Sequence, residues 1–460
     1  MRRSALLLAP LAAAAALFAC EDDTVTGGGV PFTPPDGGGF DAPPLPDAAP
    51  DASSTDVTVA VQRMGKPAAD VLVVFHDAAG AVIGTAKTGA DGKAASSGPT
   101  PKMASVLLGS AKDLRRHILT WVDVEAGDQL LASDVAEESN PGTFSIAFAG
   151  SFADAGATSY SASVGECTAF TADPLQAVTV FPGLGCYGPQ NAALGRAFQG
   201  ANVVGYAFAK GAPALPTDGG AQSVTLGAWA PPQLVDVAEA NPPQGALVST
   251  MLLEVASGLS FPNHEQVVGN PNQFKVAQGF ADAVQGVAIA ELDSQNGLAR
   301  LLAARRVAPA ANLALDFAAA LPAITDSTAD VSSPRRPQIG WTSAAPLTAS
   351  DGGAVRLRWF GQGEDSYAWS FIVPPTATSV KAPAMPAEAA DWLPSDEAGA
   401  TPFDDPQIAF AESDLLAGYR AFRATQGLVV PLVSPTADPS VALPQNGSLK
   451  ISNFVKQIPE

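Results

Sequence analysis

Histidine and cysteine are scarce in this chain, at three each in 460 residues. His76, His117 and His264 lie far apart, and a catalytic zinc normally takes three protein ligands, usually with histidines among them. No local zinc site can therefore be written from the sequence. His264 and Glu265 open like a zinc-protease helix, but the fifth residue of HEQVV is Val268, where a second histidine is required. No G-x-S-x-G elbow, Walker loop or dinucleotide fingerprint occurs, so no cofactor is called. A Ser–His–Asp triad drawn from distant segments would need a serine that nothing in the sequence nominates.

Positive charge is also sparse, with 25 Lys and Arg against 45 Asp and Glu and a net charge of −20. Such a surface repels phosphates and argues against a nucleic-acid partner. Only 15% of residues are charged, while 43 glycines and 40 prolines make the chain rich in turns. That share stays below the ~25–30% typical of disordered chains. The length calls for two to four domains.

The apolar stretch Ala5–Phe18 follows Arg2 and Arg3 and resembles the middle of a secretory signal. It is shorter than the ~20 residues that span a bilayer. Leu17, Phe18, Ala19 and Cys20 stand where a bacterial lipoprotein carries its lipobox, and the chain turns at once to EDDTVTGGG. This resemblance implies a signal peptide over 1–19 and lipidation of Cys20. The chain would then be exported and anchored to the cell envelope, at the outer membrane or cell surface. Two or more acyl chains, at about 0.8 kcal/mol per buried methylene, anchor stably. The competing reading is cleavage by another peptidase, leaving Cys20 as a free thiol. With Cys20 lipidated, Cys167 and Cys186 remain as a pair in an oxidising compartment, which points to a disulfide. A metal site is the alternative, and two cysteines without a nearby histidine make a poor zinc cage.

Residues 20–56 have glycine triplets, repeated prolines and acids, and little to bury, and they read as a disordered tether. Its reach is on the order of 30 to 100 Å, depending on stiffness.

From Val57 the pattern has period two. VTVAVQ, DVLVVFHDA and AVIGTAKT are strand-length pieces separated by turn formers. Gly65 and Pro67, VLVVFHDAAG with its Asp77-to-Gly80 hairpin, and Thr88, Asp91 and Gly92 resemble the carboxypeptidase regulatory-like and bacterial Ig-like families. The resemblance covers Val57 to Ala95 and implies a β-sandwich without an active site. The predicted fold class is all-β: tandem antiparallel β-sandwich modules after the tether. A first module spans 57–135, with Trp121 packed inside. A second spans 136–232 and holds Cys167 and Cys186, and a third, fibronectin-like or Ig-like, spans 233–395. Residues 396–460 form an extension packed on these modules. In the third module Val355, Leu357 and Trp359 share one face, as do Trp369, Phe371 and Val373. These tryptophans read as core, with a sugar-binding stack as the alternative. Helical character appears only in Leu298–Arg306 and Ser413–Arg423, and both are short enough to be extended or irregular.

Asp404-Asp405 and Asp91-Gly92 have the composition of calcium-binding loops without EF-hand spacing, and solvated turns explain them equally. Two function classes follow. The first is a non-enzymatic, membrane-anchored envelope lipoprotein with a binding, adhesive or scaffolding role toward an envelope protein or polysaccharide. The second is a carbohydrate-active or other hydrolase using paired carboxylates, which would stand ~5–10 Å apart in a cleft.

Overall fold

The computed structural model describes residues 56–63, 66–109, 115–134, 142–152, 156–181, 186, 191–212, 220–263, 271–294, 297–309, 312–361, 366–396, 401–414, 416–424 and 447–456. The predicted signal segment, Cys20, the predicted 20–56 tether up to residue 55, and His264 with Glu265 lie outside the described residues.

The protein is all-β, as the alternating pattern predicts. Twelve strands form one central sheet. From one edge to the other its order is Leu259–Asn263, Leu247–Ala256, Ala283–Ser294, Gly297–Val307, Ser448–Lys456, Gln407–Ser413, Gly352–Phe360, Ser366–Val373, Arg115–Val122, Met103–Leu108, Leu72–His76 and Val82–Lys87. Neighbours are antiparallel except where Ser366–Val373 meets Arg115–Val122, with Trp369 beside Ile118. This sheet takes strands from the predicted first module, the third module and the C-terminal segment, while the second module builds sheets of its own.

Burial follows from which face each side chain points to. On one face Val73, Val106, Leu119 and Trp121 pack against Val59, Val61 and Leu130 of a small sheet built on Thr58–Arg63, Lys93–Ala95 and Gln129–Asp134. On the other face Val355, Leu357, Trp359, Trp369, Phe371 and Val373 form one core with Ile339 and Trp341. The two predicted apolar faces meet directly, because Leu357 pairs with Trp369 and Val355 with Phe371. Trp121, Trp359 and Trp369 are each 2% exposed or less and therefore belong to the core. Burying a large side chain of this kind contributes about 1.5–3 kcal/mol.

Leu298–Arg306, which carries helical character in the sequence, lies within the strand Gly297–Val307. Its neighbours cover both faces: Leu302 and Ala304 join one core, Leu301 and Ala303 another. A strand buried on both faces shows a continuous apolar run rather than alternation, which explains its ambiguity in sequence. In Ser413–Arg423 the structure is mixed, ending a strand at Ser413 and starting a short helix, Tyr419–Ala424.

The second module stacks two sheets. One is ordered Cys167–Thr171, Ser159–Val164, Asn191–Gln199, Asn202–Ala212, and the other Val178–Val180, Thr143–Ala147, Ala221–Thr225. Phe144, Ile146, Tyr160, Leu194 and Tyr206 fill the space between them, and Ala256, Leu259 and Phe261 from the edge of the central sheet join the same core.

Candidate functional site

His76 and His117 point to opposite faces of the central sheet, and each ends on a hydroxyl. His76 Nε2 lies 3.0 Å from Ser105 Oγ, and Ser105 Oγ lies 2.8 Å from Thr120 Oγ1. Trp369 Nε1 donates to Thr120 Oγ1 at 2.9 Å. An indole N–H only donates, so Thr120 accepts from Trp369 and can pass its own proton toward Ser105, and Ser105 can donate to His76 Nε2. That direction leaves the imidazole neutral with its proton on Nδ1, which has no hydrogen-bond partner among the described residues. Burial pushes the His76 ring down to about 4, against the raising effect of Asp77 and with a smaller lowering by Arg336. Asp77 directs Oδ1 to the Ala79 and Ala81 amides. His117 Nε2 lies 2.9 Å from Ser370 Oγ, and burial, then Arg356, push its ring down to about 3. His76 Nδ1 lacks the carboxylate contact that would orient a catalytic base. Both rings serve here as neutral members of hydroxyl ladders.

The carboxylates singled out in sequence are engaged. Asp404 faces Arg358 at 3.6 Å and Asp405 faces Lys456 at 3.9 Å. Asp91 Oδ1 accepts from the Lys93 amide within its turn. Glu125 and Asp128 converge, but both bind Nη2 of Arg423, at 3.3 and 2.5 Å. This carboxylate pair is therefore an ion-pair group built around a buried arginine.

A second buried group lies where the second module meets the central sheet. Glu254, fully buried, accepts from the Ala277 amide at 2.9 Å through Oε2, while its Oε1 has no hydrogen-bond partner among the described residues. Burial pushes its carboxyl up to about 7, opposed by the charge of Arg196 and by the Ala277 N–H. Arg196 is itself 4% exposed and donates to the Pro262 carbonyl at 2.9 Å.

Cys167 and Cys186 form a disulfide, with Cα atoms 5.6 Å apart. Cys167 begins the outer strand of one sheet of the second module, and Val178–Val180 is the outer strand of the other. The arch between them, residues 172–177, turns at Asp173, which takes the Leu175 amide on Oδ1 at 2.9 Å. This strand–arch–strand unit exposes Phe170, Leu175 and Phe181 at 69%, 80% and 75%. Phe170 leans on Phe198, with ring centroids 6.4 Å apart. Between Glu166 and Phe181 the only charged side chains are Glu166 and Asp173. All three side chains stand exposed on one short unit that is mounted on two edge strands and closed by the disulfide, with Glu166 and Asp173 as its only charges. Sequence reading finds the cysteines but not this exposure, because alternation alone does not say which side of an edge strand lacks a covering layer.

No protein-family pattern and no curated protein sequence matches the chain. Among solved structures it is similar to the FN1–FN3 domains of chicken CNTN1, at 11% identity over 56% of this chain and 85% of that one, with a TM-score of 0.15. It is likewise similar to the Bacillus anthracis TIE protein, at 9% identity over 57% of this chain and 50% of that one, again with a TM-score of 0.15. Superpositions this loose assign neither a fold family nor an activity, and the all-β architecture rests on the strand pairing itself.

Proposed function

We propose that the protein is a non-enzymatic, lipid-anchored envelope protein that binds another envelope protein through the strand–arch–strand unit that exposes Phe170, Leu175 and Phe181. The lipobox at Cys20 and the tether behind it support the location, and that unit carries the binding role. A monomeric protein rarely presents several large apolar side chains from one short unit, and where it does the patch is commonly a contact surface. Aromatic anchors surrounded by a polar rim are the usual makeup of interface hot spots. The two acids of the unit, Glu166 and Asp173, favour a partner with basic residues and disfavour pairing of two identical copies, which would bring them against their own kind.

A photo-crosslinking residue placed at Phe170 or Leu175 in intact cells tests the reading. It should give a discrete protein adduct that is lost in a Phe170→Ser, Leu175→Ser, Phe181→Ser variant which keeps the disulfide and the thermal midpoint. An adduct to glycan alone, or an adduct pattern indistinguishable from that of a crosslinker at exposed Asp330, would overturn it.

A further inference from the structure

We propose that a second site, a cleft between Arg335-Arg336 and the short 3-10 helix Ala387–Trp392, binds the terminal carboxylate of a peptide chain through its two guanidinium groups. The cleft has a volume of about 200 Å³ and is lined by Arg335, Arg336, Met385, Pro386, Ala390 and Leu393, among others. It lies away from the strand–arch–strand unit of the second module, and the inference does not depend on that unit.

The arginine pair 335–336 stands between Pro334 and Pro337. The main chain there is fixed: the Arg336 amide donates to the Ser333 carbonyl at 2.8 Å, and the Ala382 amide donates to the Pro337 carbonyl at 2.9 Å. Each guanidinium is tied through Nε to a backbone carbonyl, Arg335 to Pro394 at 3.1 Å and Arg336 to Ala382 at 3.4 Å. Arg335 Nη1 also faces Asp396 at 3.5 Å, across a pair whose side chains are 42% and 73% exposed. Arg336 Nη2 reaches the Ala79 carbonyl at a long 3.4 Å. Arg335 Nη2 and Arg336 Nη1 make no hydrogen bond among the described residues.

Two cations line the cleft: Asp396 faces one of them, and the helix opposite carries Glu388 and Asp391 but turns Ala387 and Ala390, not those acids, to the cleft lining. Arginine's planar fork suits a carboxylate because it can bond both oxygens, and such charge-assisted bonds are about twice as strong as neutral ones. The Nε anchors hold the heads in place before a ligand arrives, which lowers the ordering cost on binding. Met385, Pro386, Ala390 and Leu393 supply an apolar floor beside the cations. A carboxylate joined to an apolar stem matches both features, and the end of a peptide chain has that form. Inorganic phosphate would use the cations and leave the floor unused.

The full-length protein, with its methionine methyl groups isotope-labelled, provides the test. A five-residue peptide ending in leucine with a free carboxylate should shift the Met385 methyl resonance saturably, and the same peptide ending in an amide should bind at least tenfold more weakly. Arg335→Ala and Arg336→Ala should each weaken the free acid at least tenfold, and Arg335→Lys should recover part of the loss, which separates charge from fold. An unchanged thermal midpoint in the lysine variant checks that the loop is intact. Equal binding of acid and amide would overturn the proposal, as would inorganic phosphate binding as tightly as the peptide.

Discussion

Arg423 and Asp128 form an enclosed ion pair: Nη2 lies 2.5 Å from Oδ2, with the side chains 3% and 2% exposed. The pair ties the short helix Tyr419–Ala424 to the turn that follows the strand Arg115–Val122. Other bonds act at the same place, besides the Glu125 contact and an ion pair of Arg420 with Asp128 at 3.2 Å. Trp121 Nε1 donates to the Arg423 carbonyl at 3.0 Å, Arg423 Nη1 donates to the Asp123 carbonyl at 2.6 Å, and Tyr419 Oη donates to the Val122 carbonyl at 2.6 Å. Segments almost three hundred residues apart are joined by this group.

Removing one member of a buried pair leaves an uncompensated charge, whereas replacing both by apolar groups is often tolerated. Asp128→Ala should therefore lower stability by about 3–5 kcal/mol, and Arg423→Met with Asp128→Leu should recover most of that loss. Urea midpoints of the three proteins decide it. Equal losses in the single and double variants would show that the pair is not the source.

Three buried groups whose shifts oppose one another contribute to the dependence of stability on pH. His76 and His117 are held at about 4 and about 3 in the folded state, below the ordinary 6.5. The unfolded chain therefore binds more protons than the folded one between those values. Their contribution is complete above pH 6.5 and is lost as pH falls. Glu254 runs the other way, from 4.5 up to about 7 when folded. Its contribution is complete below pH 4.5 and is lost as pH rises to 7. Each proton in its window changes stability by about 1.4 kcal/mol per pH unit. Stability from these groups should peak near pH 6.5. The Glu254→Gln variant should gain on the wild type by about that slope between pH 4.5 and 7. Denaturation curves at half-unit steps measure the difference, and a constant offset between the two proteins would contradict the assignment.

Much of the local structure can be read from the chain. The period-two pattern of AVRLRWFG and YAWSFIVPP predicts both which face is apolar and that it is buried, and the structure places those faces together. Strand partners are another matter. Ser448–Lys456 sits between Gly297–Val307 and Gln407–Ser413, and nothing in SLKISNFVK specifies those neighbours, because alternation encodes a face and not a partner. Gly297–Val307 fails differently: with both faces covered it loses the alternation that marks a strand. The arginine cleft needs two segments brought together from either side of the strand Ser366–Val373, so PRRP by itself reads only as a charged turn. The pairing of Cys167 with Cys186 is legible because only three cysteines occur and the lipobox resemblance assigns Cys20 another role.

The proposed anchor makes a simple demand. Two or more acyl chains on Cys20 give stable membrane association, and a residue without a thiol accepts none. Cys20→Ser should move the protein from the membrane fraction to the soluble fraction and remove the acyl mass from the N-terminal peptide, with the disulfide unchanged. Fractionation followed by mass spectrometry reads both outcomes. A variant that stays with the membrane, from a wild type whose N-terminal peptide carries no acyl mass, would refute the anchor.

Gly352 and Gly353 begin a buried strand, where glycine ordinarily weakens the sheet and a larger residue would help. Here the sign reverses. A Cβ at Gly352 would stand 2.5 Å from Phe422 Cδ1, and one at Gly353 would stand 2.7 Å from the Phe410 ring. Phe422 is fully buried in the core that the short helix closes, so its ring has little room to retreat. Gly352→Ala should lower stability by about 1–3 kcal/mol through overpacking, and Phe422→Ala by about 3–5 kcal/mol through the cavity it leaves. The added methyl group would then occupy part of that cavity, so the double variant should be no less stable than Phe422→Ala alone. Losses that simply add would show that the two positions do not compete for the same space, and the close approach of the ring would then not be the reason for glycine at 352.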